Sequence, residues 1–284
     1  MKLILILFFL LLPFVSKADN VILMIGDGMG TNHLACAQQT KPIFIPSLPV
    51  KGTIHTRSAN SETTDSAASA TAYACGTKTN NLSLGKLPNQ ENCVTLAEKA
   101  IQHGLSVGIY STDHSTGATP SAFYAHTTNR HDKETIEQYK QSATQTMDIV
   151  VPVDKISDIV PTKLQYLSNK SDKNGFFALF EGAKIDTASH HNNLNDMKTE
   201  LYDFDLAVMH ATDFVYYHPN TTLIVLADHE TGGLTADCQY TRTGHTGVDV
   251  PVHAYGQHAH LFRGEQDNTD IHHKINQILF SSGK

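Results

Sequence analysis

One acid and one hydroxyl, Asp65 and Ser66, stand at the mouth of a run of small residues in "TTDSAASATA" (63–72). The run continues as "AASATAYA", good helix formers, so Ser66 falls at a helix N-terminus. A serine there is commonly an N-cap. It can also be a nucleophile, because the free N–H groups and partial positive charge of a helix start attract an anion. A serine hydroxyl stays weak until a base or a metal lowers its pKa, so the question passes to residues that could hold a metal. Asp186 and His190 are four apart and share a face if their segment is helical. Asp228 and His229 are adjacent, and His245 follows within a short loop. Carboxylates mixed with imidazoles, with no cysteine nearby, suit Zn²⁺. Asp27, Thr119 and Glu181 supply oxygen alone, which suits Mg²⁺.

Each feature has an ordinary alternative. "GDG" (26–28) and "GHTG" (244–247) could be turns, "DH" (228–229) a helix cap, and "EGAKIDTASHH" (181–191) a polar loop. The histidines of "HAH" (258–260) and "HH" (272–273) read as surface residues. Taken jointly, the acids, histidines and serine fit a serine attacking a phosphate beside bound metal.

Something must hold these residues together. "NVILMIG" (20–26), "LSVGIYS" (105–111), "GFFALFEG" (175–182) and "TLIVLADHE" (222–230) are continuous apolar runs and read as buried parallel strands. "KGTIHT" (51–56) reads as an edge or half-buried strand. Helical patterns lie over 93–104, with a glycine C-cap, and over 132–150 and 194–218. Strand and helix in repeated alternation predict an open, mostly parallel, doubly wound sheet in a single domain. In such sheets ligands bind beyond the carboxyl ends of the strands. Three of the strands deliver Asp27, Glu181 with Asp186, and Asp228 with His229 to that edge.

Length and composition agree with one α/β domain with a sizeable core, since the chain has 284 residues of which 40% are hydrophobic. "MKLILILFFLLLPFVSKA" reads as a secretory signal peptide, residues 1–18, because its apolar run is short of the roughly 20 residues a bilayer needs. Its removal takes away two lysines and no acid, so the net charge moves from −7 to −9. So acidic a chain is a poor non-specific partner for nucleic acid. After cleavage no stretch is long and apolar enough to span a membrane. Cys36, Cys75, Cys93 and Cys238 allow up to two disulfides in an exported chain, in any of three pairings.

The motifs "ILMIGDGMG", "TDSAASATA", "GATPSAFYAHTTNR", "EGAKID…H", "ADHE" and "HTG", in this order, resemble those of the alkaline phosphatase family. The resemblance implies a three-layer α/β/α sandwich over residues 19–284 and assigns roles. Ser66 matches the nucleophile that becomes phosphoserine. Arg130 matches the arginine that clamps phosphate oxygens, and Asp65 the acid that helps hold it. Asp186, His190 and His245 match the ligands of one zinc; Asp27, Asp228 and His229 those of a second; Asp27, Thr119 and Glu181 those of a magnesium. It further implies an exported phosphomonoesterase acting on small-molecule phosphate monoesters in the periplasm or outside the cell, with a homodimer left open. A sulfatase would need a CxPxR-type context, which none of the four cysteines has, and Arg130 favours a dianionic monoester over a diester.

The sequence departs from the family pattern in three places. Gly117 stands where an Asp or His is usual near the magnesium. Thr187 stands where a Lys or His often reaches toward phosphate. Only a short segment separates His229 from His245, where a large insertion often forms a crown and part of a dimer interface. At Gly117 the expectation is a gap filled by water and a weak Mg²⁺ site, unless neighbouring His114 substitutes.

Overall fold

The computed structural model describes residues 18–171 and 174–281, so the expected leader lies outside the described residues apart from Ala18. In order, the chain forms β1 (Asn20–Gly26), α1 (Thr31–Gln38), β2 (Val50–His55), α2 (Ser66–Cys75), α3 (Leu96–Gln102), β3 (Ser106–Ser111), α4 (Ala118–Ser121), α5 (Lys133–Ala143), β4 (Asp148–Val150), α6 (Ile156–Lys170), β5 (Phe176–Gly182), α7 (Lys184–His190), α8 (Leu194–Tyr217), β6 (Thr221–Leu226), β7 (Glu230–Thr231), β8 (His245–Thr246), β9 (Val250–Gly256), β10 (Gly264–Asp267) and α9 (Asn268–Phe280). Eight strands make one sheet in the order β10-β2-β9-β6-β1-β5-β3-β4, and only β9 runs antiparallel to its neighbours. Helices cover both faces: α6 and α8 pack together on the sheet, and α2, α3 and α9 form the other helical group. Among the described residues no helix is long and apolar enough to cross a membrane.

The apolar runs become strands because both faces of the central sheet are dry. Every residue of β1, β3, β5 and β6 is buried, which is what continuous rather than alternating hydrophobicity requires. Their register sets the site. Ser111 lies opposite Glu181, Glu181 opposite Ile25, and Ile25 opposite Leu226. Two residues beyond that row, one pleat period on, come Asp27 and Asp228. The acids therefore converge because their strands share a register.

Several elements differ from the sequence expectation. The helix expected over 132–150 stops at Ala143, and Asp148–Val150 instead pairs with β3 as the sheet edge. Tyr110 and Lys163 both hydrogen-bond the Asp148 carboxylate there, at 2.7 and 2.9 Å. β2 is half-buried as expected but is not an edge, because β10 covers it. β10 ("GEQD") carries no hydrophobic pattern of its own and exists through its pairing with β2. His272 is not a surface residue: it is half-buried, and its Nδ1 donates to the Ala74 carbonyl at the end of α2.

Helix α2 is the element on which the serine depends. Asp65, not Ser66, is its N-cap, accepting from Ala68 N–H at 2.9 Å, and Gly76 closes it in the left-handed conformation at φ 70°. Every residue from Ser66 to Ala74 is buried, and all but Tyr73 are small, which lets its neighbours close in. Ser69 donates to Asp228 O at 2.8 Å and Tyr73 to Ala227 O at 2.7 Å. With Ser66 these lie three and seven residues along, on one helix face, so α2 is tied to the exit of β6. The disulfides pair Cys36 with Cys238 and Cys75 with Cys93, Cα–Cα 5.7 and 5.9 Å. The first links α1 to the β7–β8 loop, and the second links the end of α2 to the segment before α3.

Removing the Tyr73 hydroxyl isolates that tether. Tyr73→Phe is expected to cost about 1 kcal/mol, or a fall of a few degrees in melting temperature, read by circular dichroism. An unchanged melting temperature would show that the bond to Ala227 contributes nothing net.

Candidate active site

Two groups of ligand-type side chains meet at the carboxyl edge of the sheet. Asp186, His190 and His245 form one, and Asp27, Asp228 and His229 the other; within each group the candidate donor atoms lie within 4.8 Å of one another. In the first, His190 Nε2 is 3.2 Å from Asp186 Oδ2 and 3.1 Å from His245 Nε2. In the second, His229 Nε2 is 3.1 Å from Asp228 Oδ2 and 3.5 Å from Asp27 Oδ1. α7 brings Asp186 and His190 to one face, as their spacing requires. The rings of His229 and His245 stack at 3.6 Å between centroids and so hold the two groups side by side.

The histidine tautomers are set from behind. His190 Nδ1 donates to Thr243 O, and His245 Nδ1 donates to Thr64 O at 3.1 Å. His229 Nδ1 donates to Thr231 Oγ1 at 3.2 Å, and that hydroxyl passes its own proton to Asp186 Oδ1. With Nδ1 carrying the proton, each Nε2 presents a lone pair inward. Imidazole nitrogens and carboxylates thus face one another at 3.1–3.5 Å. Asp27 Oδ1, Asp228 Oδ2, Thr119 Oγ1 and Glu181 Oε1 are all buried without a hydrogen-bond partner among the described residues. Buried polar atoms in native proteins are otherwise satisfied, and a set of unprotonated N and O donors in this state fits divalent cations.

Electrostatics agree. Burial, then Asp228 and Asp186, push the Asp27 carboxyl well above its usual range. Burial likewise raises Asp228, to about 7, and burial together with Asp113 raises Glu181. Burial, then the neighbouring His245 ring, holds His229 far below its usual value. Asp186 goes the other way: burial disfavours its anion, but the His190 hydrogen bond and three nearby imidazoles outweigh it. His190 is raised, chiefly by its bond to Asp186. Proton and metal therefore compete for the same atoms.

Ser66 sits between these groups and Arg130. Its hydroxyl, 4% exposed as a residue, lies 3.3 Å from His229 Nε2. Because Asp65 takes over capping, Ser66 Oγ need not bond its own helix. The second Asp65 oxygen accepts from Leu82 N–H at 3.0 Å and pairs with Arg130 Nη1 at 3.4 Å, and Arg130 N–H donates to Leu82 O at 2.7 Å. Asp65 thus fixes helix start and arginine together. Gly28 lets the two halves approach: its φ is +71°, and a Cβ would lie 2.8 Å from Thr231 Oγ1 and 3.0 Å from the Asp186 backbone.

The family profile for Alkaline phosphatase matches residues 18–157, 152–242 and 233–280. The chain belongs to the alkaline phosphatase family of hydrolases. It is 28% identical to the alkaline phosphatase of Schizosaccharomyces pombe across 80% of this chain and 58% of that one. It is 23% identical to alkaline phosphatase 3 of Bacillus subtilis across 93% and 89%. The latter alignment runs over 415 positions against 284 residues here, so that relative carries long inserted segments. The matched region spans less than two thirds of the S. pombe enzyme. The alkaline phosphatase of the Antarctic bacterium TAB5 superimposes with a TM-score of 0.84 at 27% identity, covering 93% of this chain and 98% of that one. A TAB5 variant of the same fold has Mg bound in its M3 site.

All eleven residues singled out in the sequence lie at this edge. Sequence reasoning missed the groups that aim them. Ser111 donates to Glu181 Oε2, Thr231 joins Asp186 to His229, and Glu230, holding Thr246 and the N–H groups of Gly233 and Leu234, braces the loop before His245. Serine and threonine carry no periodic signal, so only the distance across the sheet reveals them. Thr187 is exposed on α7. At Gly117 the expected gap does not exist: the Asp113 side chain fills it, and His114, 63% exposed, turns to solvent.

The raised carboxyls fix a pH dependence. A carboxyl raised on folding holds a proton that the unfolded chain releases, so its contribution is complete below its unfolded pKa and lost as pH rises through the folded one. Raised His190 has the same sign, and lowered Asp186 acts only below about its ordinary 3.8. Lowered His33, His229, His253 and His272 have the opposite sign up to their ordinary value of 6.5. Chelator-treated protein is therefore expected to lose stability as pH rises above about 6.5 and through the Asp228 value of about 7, and divalent cations should remove that loss. A melting temperature that climbs over this range without metal would contradict the charge crowding.

Proposed function

We propose that the chain is an exported, metal-dependent phosphomonoesterase that works through a phosphoserine on Ser66. The observation that carries this is the Ser66 hydroxyl at the start of α2, released from capping, 3.3 Å from His229 Nε2 and flanked by the Asp65–Arg130 pair. Asp186, His190 and His245 would hold one Zn²⁺, Asp27, Asp228 and His229 a second, and Asp27, Thr119 and Glu181 a Mg²⁺. Bound there, such ions would acidify a hydroxyl or water and neutralise charge on phosphate and leaving group. Arg130 presents a planar fork to two phosphate oxygens, and the free N–H groups at the start of α2 add donors to the same anion. Ser66 Oγ then bonds to phosphorus as the ester P–O bond breaks and the alcohol departs with a proton. Water cleaves the Ser66 O–P bond and returns the serine hydroxyl with inorganic phosphate.

Residues 1–18 read as a cleaved export signal, and residues 19–284 as one catalytic domain. Two disulfides support an oxidising compartment, periplasmic or extracellular. The short 230–244 segment between His229 and His245 supports an open site that takes varied small monoesters.

Ser66→Ala is expected to fold, bind metal and lose nearly all monoester turnover. Acid quenching with a ³²P-labelled monoester should trap label on wild type and none on the variant; turnover equal to wild type would exclude Ser66 as nucleophile. Arg130→Ala should lower kcat/KM by about 10- to 100-fold, from a charged contact of roughly 1.5–3 kcal/mol, and weaken inorganic phosphate inhibition with metal content unchanged. An unaltered phosphate inhibition constant would exclude the clamp.

A further inference from the structure

The oxygen-only group draws a third acid from an unexpected place. Thr119 and Glu181 are fully buried and face each other, yet apart from that contact Thr119 Oγ1 and Glu181 Oε1 have no hydrogen-bond partner among the described residues. Gly117, two residues before Thr119, offers no side chain. An ideal Cβ on Gly117 would lie 2.2 Å from Asp113 Oδ2 and 2.6 Å from its Cγ. The Asp113 carboxylate therefore occupies the volume that a residue-117 side chain would fill.

Asp113 is held there by the same network that aims Glu181. Ser111 Oγ donates to Glu181 Oε2 and accepts from Asp113 N–H at 2.8 Å. The other carboxylate oxygen of Asp113, Oδ1, accepts from His114 N–H at 2.7 Å, which leaves Oδ2 as the oxygen turned to Gly117. After burial, the charge of Asp113 is the largest influence raising the Glu181 carboxyl, and it acts on Asp27 as well. A carboxylate whose charge acts on two buried acids is costly without a cation to offset it. Water could fill a gap at Gly117, but it could not supply this negative charge, and His114, 63% exposed, reaches only the outer Asp113 oxygen, Oδ1, at 3.3 Å.

We propose that Asp113 completes the oxygen-only cation site with Asp27, Thr119 and Glu181, its carboxylate reaching from the β3–α4 loop into the space beside Gly117. The inference rests on the metal-dependent reading above. It makes this site a charged, Mg²⁺-selective one rather than a weak one. It also explains why residue 117 is glycine: a side chain at 117 and the carboxylate of Asp113 exclude each other.

Mg²⁺ titration by calorimetry into zinc-loaded protein tests this without measuring turnover. Asp113→Ala, and the nearly isosteric Asp113→Asn should the alanine variant fold poorly, are expected to weaken Mg²⁺ binding about 10- to 100-fold with zinc content unchanged. Gly117→Asp alone should not strengthen binding, because the two carboxylates collide. The double variant Asp113→Ala/Gly117→Asp moves the charge to the other position and should recover most of the lost affinity. Wild-type Mg²⁺ affinity in either Asp113 variant, or a double variant as weak as Asp113→Ala, would overturn the inference while leaving the serine and zinc assignments intact. No Mg²⁺ binding to wild type would overturn the oxygen-only site itself.

Discussion

Buried negative charge is the constraint on which the rest of the structure depends. Asp27, Asp228, Asp186, Glu181 and Asp113 act on one another at the carboxyl edge of the sheet, and three of these are almost wholly buried. Isolated, such groups would take up protons or water. Instead they are fixed by strand register, by backbone donors such as Gly28 N–H and His229 N–H on Asp228, at 3.0 and 2.9 Å, and by hydroxyls from Ser111 and Thr231. The frame places hydrogen bonds on the outer oxygens and leaves inner ones such as Asp27 Oδ1 and Asp228 Oδ2 without a donor among the described residues. This is preorganisation: the donors are aligned before any ligand arrives.

The division of labour between Asp65 and Ser66 follows from the same economy of partners. One residue caps the helix, leaving the next with an uncommitted hydroxyl. Asp65 also holds Arg130 and the Leu82 N–H, so the guanidinium and the helix start cannot drift apart. The small residues of α2 let Ser69 and Tyr73 reach backbone carbonyls at the end of β6. Ser66 and His229 are thus carried by two elements stitched together along one helix face.

The shortness of the chain relative to its relatives falls outside this frame. The TAB5 enzyme shares the fold across nearly its whole length, while alignment to the B. subtilis enzyme requires long gaps. Here residues 230–244 are secured by the Cys36–Cys238 disulfide and by the Glu230 carboxylate. Covalent and hydrogen-bonded bracing thus presents His245.

The sequence by itself determined the family, the fold class and the central strands of the sheet. Continuous apolar runs such as "NVILMIG" have one stable home, a strand covered on both faces, and acids placed just past such runs must gather at one edge. Motif order then separated this set from chance turns and caps. Tertiary structure alone decided what depends on distance through space. It chose between the disulfide pairings, ended α5 at Ala143 because Asp148–Val150 could pair with β3, and created β10 from a segment with no strand signature. It made Asp65 the cap. It also replaced the missing side chain of Gly117 with Asp113, four residues away along the chain but in the same small volume. Sequence spacing cannot report such a substitution, because a carboxylate's position depends on how its loop folds back and not on its place in a motif.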